Sequence, residues 1–395
     1  MTDVFRLSRP VMVVAQALPH QSSGTSIVLR RLLENFGGDE IVLLARNPNP
    51  HLRLEFRPLH YPTVTIPSLL GGVRGERYWR LGSLPPGIIA GLRAVRRHRP
   101  AAILAVFPDE IALLTGYILH RLTNLPLLAY FCDLYQEDRA RGWEARLARS
   151  LQPRVFRAAS QIITVNDGMV SYYRERYGLT AVCLPACINV GIPEPGALPA
   201  PNNAFVVGYS GNVNSTRLGP LRALVRAIGD NPGYTIRYFT PQKAEFLKAN
   251  GLWADNASAE FISDEGDLIR RLASCDALFL PLTFDVDQSS YDQLATCFGI
   301  KSYEYFLSQR PVLLQSPGDY FIARFYRERE CGLVVDSPAP EALRAALERL
   351  RADGALRERL SRNALAAAVD FEGPRVAAVL RGVLDQSVRH KEGHP

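Results

Sequence analysis

Short apolar runs recur along the first half of the chain, each followed by a segment whose apolar positions return every three to four residues. Residues 11–15, 41–45, 102–107, 127–131 and 161–165 are runs rich in Val, Ile, Leu and Ala, the pattern of strands buried on both faces. Helical periodicity fills 26–36, 86–97, 110–122, 144–158 and 168–177 between them. Strand and helix in alternation predict a parallel sheet covered on both sides, a Rossmann-like unit. Residues 188–203 then read INVGIPEPGALPAPNN, dense in proline and glycine with almost no charge, as a linker does.

A second series follows. Strands are expected at 205–209, 235–239, 260–262, 277–281, 311–314 and 332–335, with helices at 219–228, 242–249, 267–274, 301–307 and 340–351. Residues 354–368 and 371–388 are helical in pattern and no strand follows them. The expected α/β architecture is two Rossmann-like domains, 1–190 and 203–370, facing a central cleft, with 371–395 returning as a helix to the first domain.

Composition narrows the function classes. A chain of 395 residues, 47% hydrophobic and 22% charged, is too long for one ordinary core and excludes a fibrous or disordered protein. Charge or proline breaks every apolar run well before the roughly 18 residues that span a bilayer. The first ten residues have arginines but no secretory pattern, so a cytoplasmic protein is expected. The six cysteines are scattered without CxxC spacing and read as reduced thiols, not metal ligands.

The net charge of +7 is unevenly placed. Residues 1–190 hold 23 Arg, no Lys and 14 acidic residues, so all of the excess positive charge lies there. Such a field suits an anionic partner. Residues 69–85, with Arg74, Arg77, Tyr78, Trp79 and Arg80 among glycines, read as an exposed basic and aromatic loop able to touch lipid headgroups, or as a plain surface loop or acceptor lid. Dispersed arginines and the lack of a recognition module set nucleic-acid binding aside.

Four stretches could carry chemistry. Ser22-Ser23-Gly24-Thr25 joins a strand to a helix start and could offer backbone N–H groups to an anion, or simply cap the helix; His20 in that loop is a candidate general base. Asp133 follows the strand at 127–131, at the edge where doubly wound sheets hold ligands, with Glu137 and Asp138 facing solvent. Gly208-Tyr209-Ser210-Gly211-Asn212 is a small-residue turn followed by Arg217, which can grip phosphate oxygens. Finally, Lys301 opens a helix with Glu304 one turn on. The pair could serve a nucleotide's phosphate and ribose, or form an ordinary i,i+3 surface ion pair.

The text from Gly299-Ile300-Lys301-Ser302-Tyr303-Glu304-Tyr305-Phe306 through Arg310-Pro311-Val312-Leu313 to Cys331-Gly332-Leu333 resembles the donor-binding segment of GT-B-fold glycosyltransferases of the family 4 type. The Gly24 loop, the Asp133 segment, the Gly208-to-Arg217 turn and Ala273–Ala277 fall in that family's order. The resemblance implies a glycosyltransferase that moves a sugar from a nucleoside diphosphate to an acceptor hydroxyl, retaining and without a metal or other cofactor. It places Gly24, Thr25, Gly211, Asn212, Arg217, Thr296, Lys301, Ser302 and Glu304 around the donor. Asp133, Lys301, Arg217 and His20 are the groups set against the reaction; His20 as a base would instead suit inversion.

Three departures accompany the resemblance. Thr296 stands where the family's first motif glutamate belongs, Asn212 where an arginine is frequent, and no histidine occurs at 131–133. They keep open a catalytically inactive partner subunit of the same fold. A sugar-nucleotide epimerase or phosphorylase shares the architecture too. Asp285-Val286-Asp287 has the DxD form of a metal motif and is read as incidental. The acceptor suited to a basic first domain carries phosphate or is presented on a lipid at a membrane.

Overall fold

The continuous apolar runs of the first half form the interior of a parallel sheet, because only a sheet with helices on both faces can bury every position of a strand. A computed structural model describes residues 6–17, 24–46, 59–67, 80–139, 142–200, 202–229, 231–287 and 290–393. The chain divides into two units, residues 1–189 with 372–395, and residues 190–371.

In the first unit, β1 (Val11–Ala17), β2 (Ile41–Arg46), β3 (Thr63–Ile66), β4 (Ala102–Phe107), β5 (Leu127–Phe131), β6 (Gln161–Thr164) and β7 (Ala181–Cys183) form a seven-stranded sheet in the order 3-2-1-4-5-6-7. All pairings are parallel, and Val11 stands between Ile41 and Ala102. The order reverses at β1 and β4, which makes their carboxyl ends the natural ligand edge. The connecting helices are α1 (Gly24–Leu33), α2 (Leu84–His98), α3 (Glu110–Thr123), α4 (Gly142–Ala158) and α5 (Asp167–Tyr177). Asp109 starts α3 by accepting the Ala112 N–H at 2.6 Å, and Asn124 ends it in the left-handed region at φ 57°.

The second unit has β8 (Phe205–Ser210), β9 (Tyr234–Phe239), β10 (Ala257–Glu260), β11 (Ala277–Pro281), β12 (Val312–Gln315) and β13 (Leu333–Val335) in the order 10-9-8-11-12-13, again parallel. Its reversal lies between β8 and β11. Its helices are α6 (Ser215–Ile228), α7 (Ala244–Ala249), α8 (Glu265–Leu272), α9 (Tyr291–Thr296), α10 (Lys301–Leu307), α11 (Phe321–Glu328), α12 (Pro340–Ala352) and α13 (Gly354–Ala368).

The last helix, α14 (Gly373–Glu392), packs on α1 of the first unit. Arg381 is the anchor: its guanidinium forms a two-pronged pair with Glu40 at 2.8 and 2.9 Å and stacks over the Phe36 ring at 4.3 Å. Burial alone would raise the Glu40 carboxyl. Hydrogen bonds from Arg381 and from the Leu7 and Gly37 N–H groups outweigh it and hold the pKa down at about 2.

Four elements escaped the sequence pattern, and one was displaced. The edge strand β3 is four residues long and half exposed, β7 has three residues, and α9 and α11 run for only six and eight residues, too few repeats to stand out from the loops beside them. The strand expected at 260–262 lies at 257–260. The proline-rich 190–200 stretch is not a free tether. Gln309 accepts the Gly196 N–H at 2.9 Å and donates to the Glu194 carbonyl at 3.2 Å, fastening it to the second unit.

Candidate active site

The second unit's ligand edge is built around the end of β8. Gly211, the next residue, has φ +122°, a conformation closed to other residues without strain. A Cβ there would stand 3.2 Å from Lys301 Cε and 3.9 Å from its Cγ, so the lysine side chain lies directly against the glycine. The Gly211 N–H donates to the Phe239 carbonyl at 3.0 Å. Gly211 therefore serves by leaving room for Lys301, and its own N–H is already engaged by β9.

Tyr305 holds α10 in that position. It is fully buried, its hydroxyl accepts the Ser210 N–H at 2.8 Å and donates to the Phe279 carbonyl at 3.2 Å, and it thereby ties α10 to both strands flanking the reversal. Sequence reading passed over Tyr305 because an aromatic inside an apolar helix reads as core. Its phenol is pushed up by burial.

The loop into α6 is ordered by Gln242, which accepts the Val213 N–H at 3.0 Å, hydrogen-bonds the Thr240 hydroxyl, and reaches the exposed Asn212 side chain at 3.4 Å. Tyr209 donates to the Asn212 carbonyl at 2.9 Å. Asn214 begins α6 without capping it through its side chain, although its carbonyl accepts the Arg217 N–H at 3.0 Å. Arg217 lies within this first turn and is half-buried. Burial pushes the neighbouring Tyr209 phenol up to about 12, and the Arg217 charge acts in the opposite sense. Among the described residues neither Arg217 nor Lys301 has an ion-pair partner. Two half-buried cations near a helix start that its N-cap side chain leaves uncapped are chemically suited to an anion.

Glu304 sits one turn after Lys301 at 5% exposure. The two do not form the i,i+3 surface pair that the sequence left open. Ser302 is turned elsewhere: it is fully buried, its hydroxyl accepts from Tyr326 at 2.9 Å and its N–H donates to the Gly299 carbonyl at 2.8 Å. The expected donor contact at Ser302 is corrected to a packing role, fixed because the i+1 position of α10 faces α11. Thr296 is also buried, and its hydroxyl donates to the Asp292 carbonyl at 2.8 Å inside α9. Asp287 accepts the Ser290 N–H at 2.9 Å, which gives the second aspartate of the DxD triplet a turn-capping task.

In the first unit, Gly24 and Thr25 open α1 beyond the end of β1. A Cβ on Gly24 would meet nothing among the described residues within 4 Å. His20, Ser22, Ser23 and residues 69–79 of the basic loop lie outside the described residues. Asp133 is half-buried two residues past β5. Glu137 does not face solvent freely: it accepts the Tyr177 hydroxyl.

Sequence reading missed a buried ionic cluster at the same edge. Arg46 at the end of β2 pairs with Asp109, Arg80 reaches both Asp109 at 3.2 Å and Glu110, and Arg139 approaches Glu110 at 3.7 Å. Asp109 and Glu110 are fully buried. Arg80, expected on an exposed loop, is thus drawn into the cluster. The signal available was Pro-Asp-Glu straight after a buried strand. Among the described residues no three potential ligands gather as a metal site, and no helix is long and apolar enough to cross a membrane.

Residues 10–183 match the family model described as the glycosyl transferase 4-like domain. No curated protein matches the chain significantly. Among solved structures, sucrose-phosphate synthase from Thermosynechococcus elongatus is 17% identical with a TM-score of 0.72, over 97% of this chain and 100% of that one. Anabaena HepE, in complex with UDP and glucose, is 17% identical with a TM-score of 0.66, over 95% and 99%. A glycosyltransferase from Rickettsia africae is 10% identical with a TM-score of 0.66, over 97% and 100%. The glycosyl transferase 4-like domain thus matches residues 10–183 of the first unit, and the chain as a whole shares its two-unit α/β fold with these solved structures.

Proposed function

We propose that the enzyme transfers a glycosyl group from a nucleoside-diphosphate sugar to an acceptor hydroxyl, with retention of configuration and without a metal ion. The observation that carries this reading is Lys301 laid against Gly211, with Arg217 in the first turn of α6 and neither cation paired with a carboxylate among the described residues. Cleaving the bond from the anomeric carbon to the diphosphate oxygen leaves negative charge on the departing diphosphate. Lys301, Arg217 and the dipole of α6 oppose that charge as it develops, which is where fixed cations and dipoles lower a barrier most. A hydroxyl-binding role for Glu304 on the ribose fits its position one turn along α10 from the phosphate lysine. HepE has been solved with UDP and with UDP-glucose, so UDP-sugars are the donors to try first.

The acceptor is assigned to the first unit, at the carboxyl edge of its sheet, where Gly24, Thr25 and Asp133 stand. Its charge suits an acceptor bearing phosphate or a lipid diphosphate. Incubation with UDP-, GDP-, ADP- and dTDP-sugars in the presence of a chelator tests the donor side. Release of one nucleoside diphosphate is expected, reduced by orders of magnitude in Glu304→Ala and Lys301→Ala. Equal release by both variants would sink the donor assignment, and release only with added metal would remove metal independence.

A further inference from the structure

Helices α2 and α3 run parallel on one face of the first unit's sheet: a Cβ at Gly87 would meet Thr115 and one at Gly91 would meet Leu119, four residues on along both helices. Helix α4 packs beside α3. Arg93, Arg96 and Arg97 of α2 and Arg121 of α3 are all exposed, and none has an ion-pair partner among the described residues. The face continues onto α4 with Arg146, Arg149, Arg154 and Arg157, exposed in the same way.

Carboxylates are scarce on this surface. Between residues 80 and 132 the only acidic residues are Asp109 and Glu110, both buried in the ionic cluster, and α4 adds only Glu144. Arginine at a helix C-terminus complements the helix dipole, which accounts for Arg96 and Arg97. It does not account for Arg93, Arg146 or Arg149, which lie further from those ends. Two large apolar side chains protrude among the cations: Ile89, one turn before Arg93, is 52% exposed, and Leu122, next to Arg121, is 60% exposed.

We propose that the α2–α3–α4 face docks the enzyme on an anionic lipid bilayer. The arginines meet the headgroup charge, and Ile89 and Leu122 enter the boundary between headgroups and acyl chains. Protruding aliphatic side chains gain nothing against the sugar-phosphate rail of a nucleic acid, whereas at a bilayer they leave water. This proposal is independent of the donor site, which lies on the other unit.

Co-sedimentation of the full chain with phosphatidylcholine vesicles, with and without phosphatidylglycerol, tests it at low and raised salt. Binding is expected only to the anionic vesicles and should weaken with salt. Each arginine at such a surface contributes about fivefold, so Arg93→Glu/Arg96→Glu/Arg97→Glu should lose at least roughly a hundredfold. Ile89→Ser/Leu122→Ser should lose severalfold while keeping the same salt dependence, and keeps the test open if the charge-reversed protein does not fold. Absence of binding to anionic vesicles, or binding unchanged in both variants, would overturn the proposal. So would binding to duplex DNA that outcompetes vesicles and ignores Ile89→Ser/Leu122→Ser, which would assign the face to nucleic acid.

Discussion

Lys301 lies against Gly211, its Cε 3.2 Å from where a methyl group on that glycine would stand, and the glycine's φ of +122° already disfavours any side chain. Two independent constraints thus converge on one residue. Gly211→Ala should cost about 1–3 kcal/mol in stability and displace the lysine, lowering nucleotide affinity as well. Thermal unfolding with and without nucleotide separates the two effects. Unchanged affinity in the folded variant would mean that Lys301 does not need its place beside the glycine.

Among the described residues neither Lys301 nor Arg217 has an ion-pair partner, so their removal should be nearly silent in stability and loud in turnover. Lys301→Ala and Arg217→Ala should each lower turnover by about 10²-fold or more, the scale seen when one preorganised charge-stabilising donor is removed. Steady-state rates alongside melting temperatures check this. A large loss of stability with normal turnover would reverse the roles given to them.

Tyr305→Phe deletes one hydroxyl and leaves the buried Ser210 N–H without its acceptor. The expected cost is about 1–3 kcal/mol, that of an unpaired buried polar group. Turnover should fall as well, because α10 is then held less firmly to β8 and β11. A melting temperature equal to that of the parent would show that another group replaces the hydroxyl.

The Glu40–Arg381 pair gives the first unit an acid-sensitive fastening. The folded-state pKa of Glu40 is lowered from 4.5 to about 2, so its contribution is fully present above pH 4.5 and is lost as pH falls through 2. That contribution is roughly 3 kcal/mol. Melting temperature followed between those limits should drop more steeply for the parent than for Glu40→Gln, which starts lower. Parallel curves would remove Glu40 from the account of acid stability.

Much of this architecture was legible because parallel strands buried on both faces leave unbroken apolar runs, as in Ala102–Phe107 and Ala277–Pro281. The small elements were not: β7 has three residues, and α11 follows a Ser-Pro-Gly-Asp turn that reads as loop. At the site, Lys301 and Glu304 were visible as chemistry at a helix start, but only packing distinguishes them from a surface pair. Ser302 has the same polar identity as a ligand-binding serine, and nothing local reveals that Tyr326, 24 positions on, occupies its hydroxyl. Tyr305 and the Arg46–Asp109–Arg80 cluster depend on contacts across the fold that no local pattern encodes.

The most direct measurement is thermal unfolding of the parent and of Lys301→Ala against UDP, GDP, ADP and dTDP, all with a chelator present. A ligand at a hundred times its Kd adds about 2.7 kcal/mol to the folded state, a shift readily seen. Stabilisation of the parent by one of these nucleotides, lost in Lys301→Ala, is the expected result. Stabilisation by none of them, or an equal shift in the variant, would contradict a nucleotide-sugar site built around Lys301.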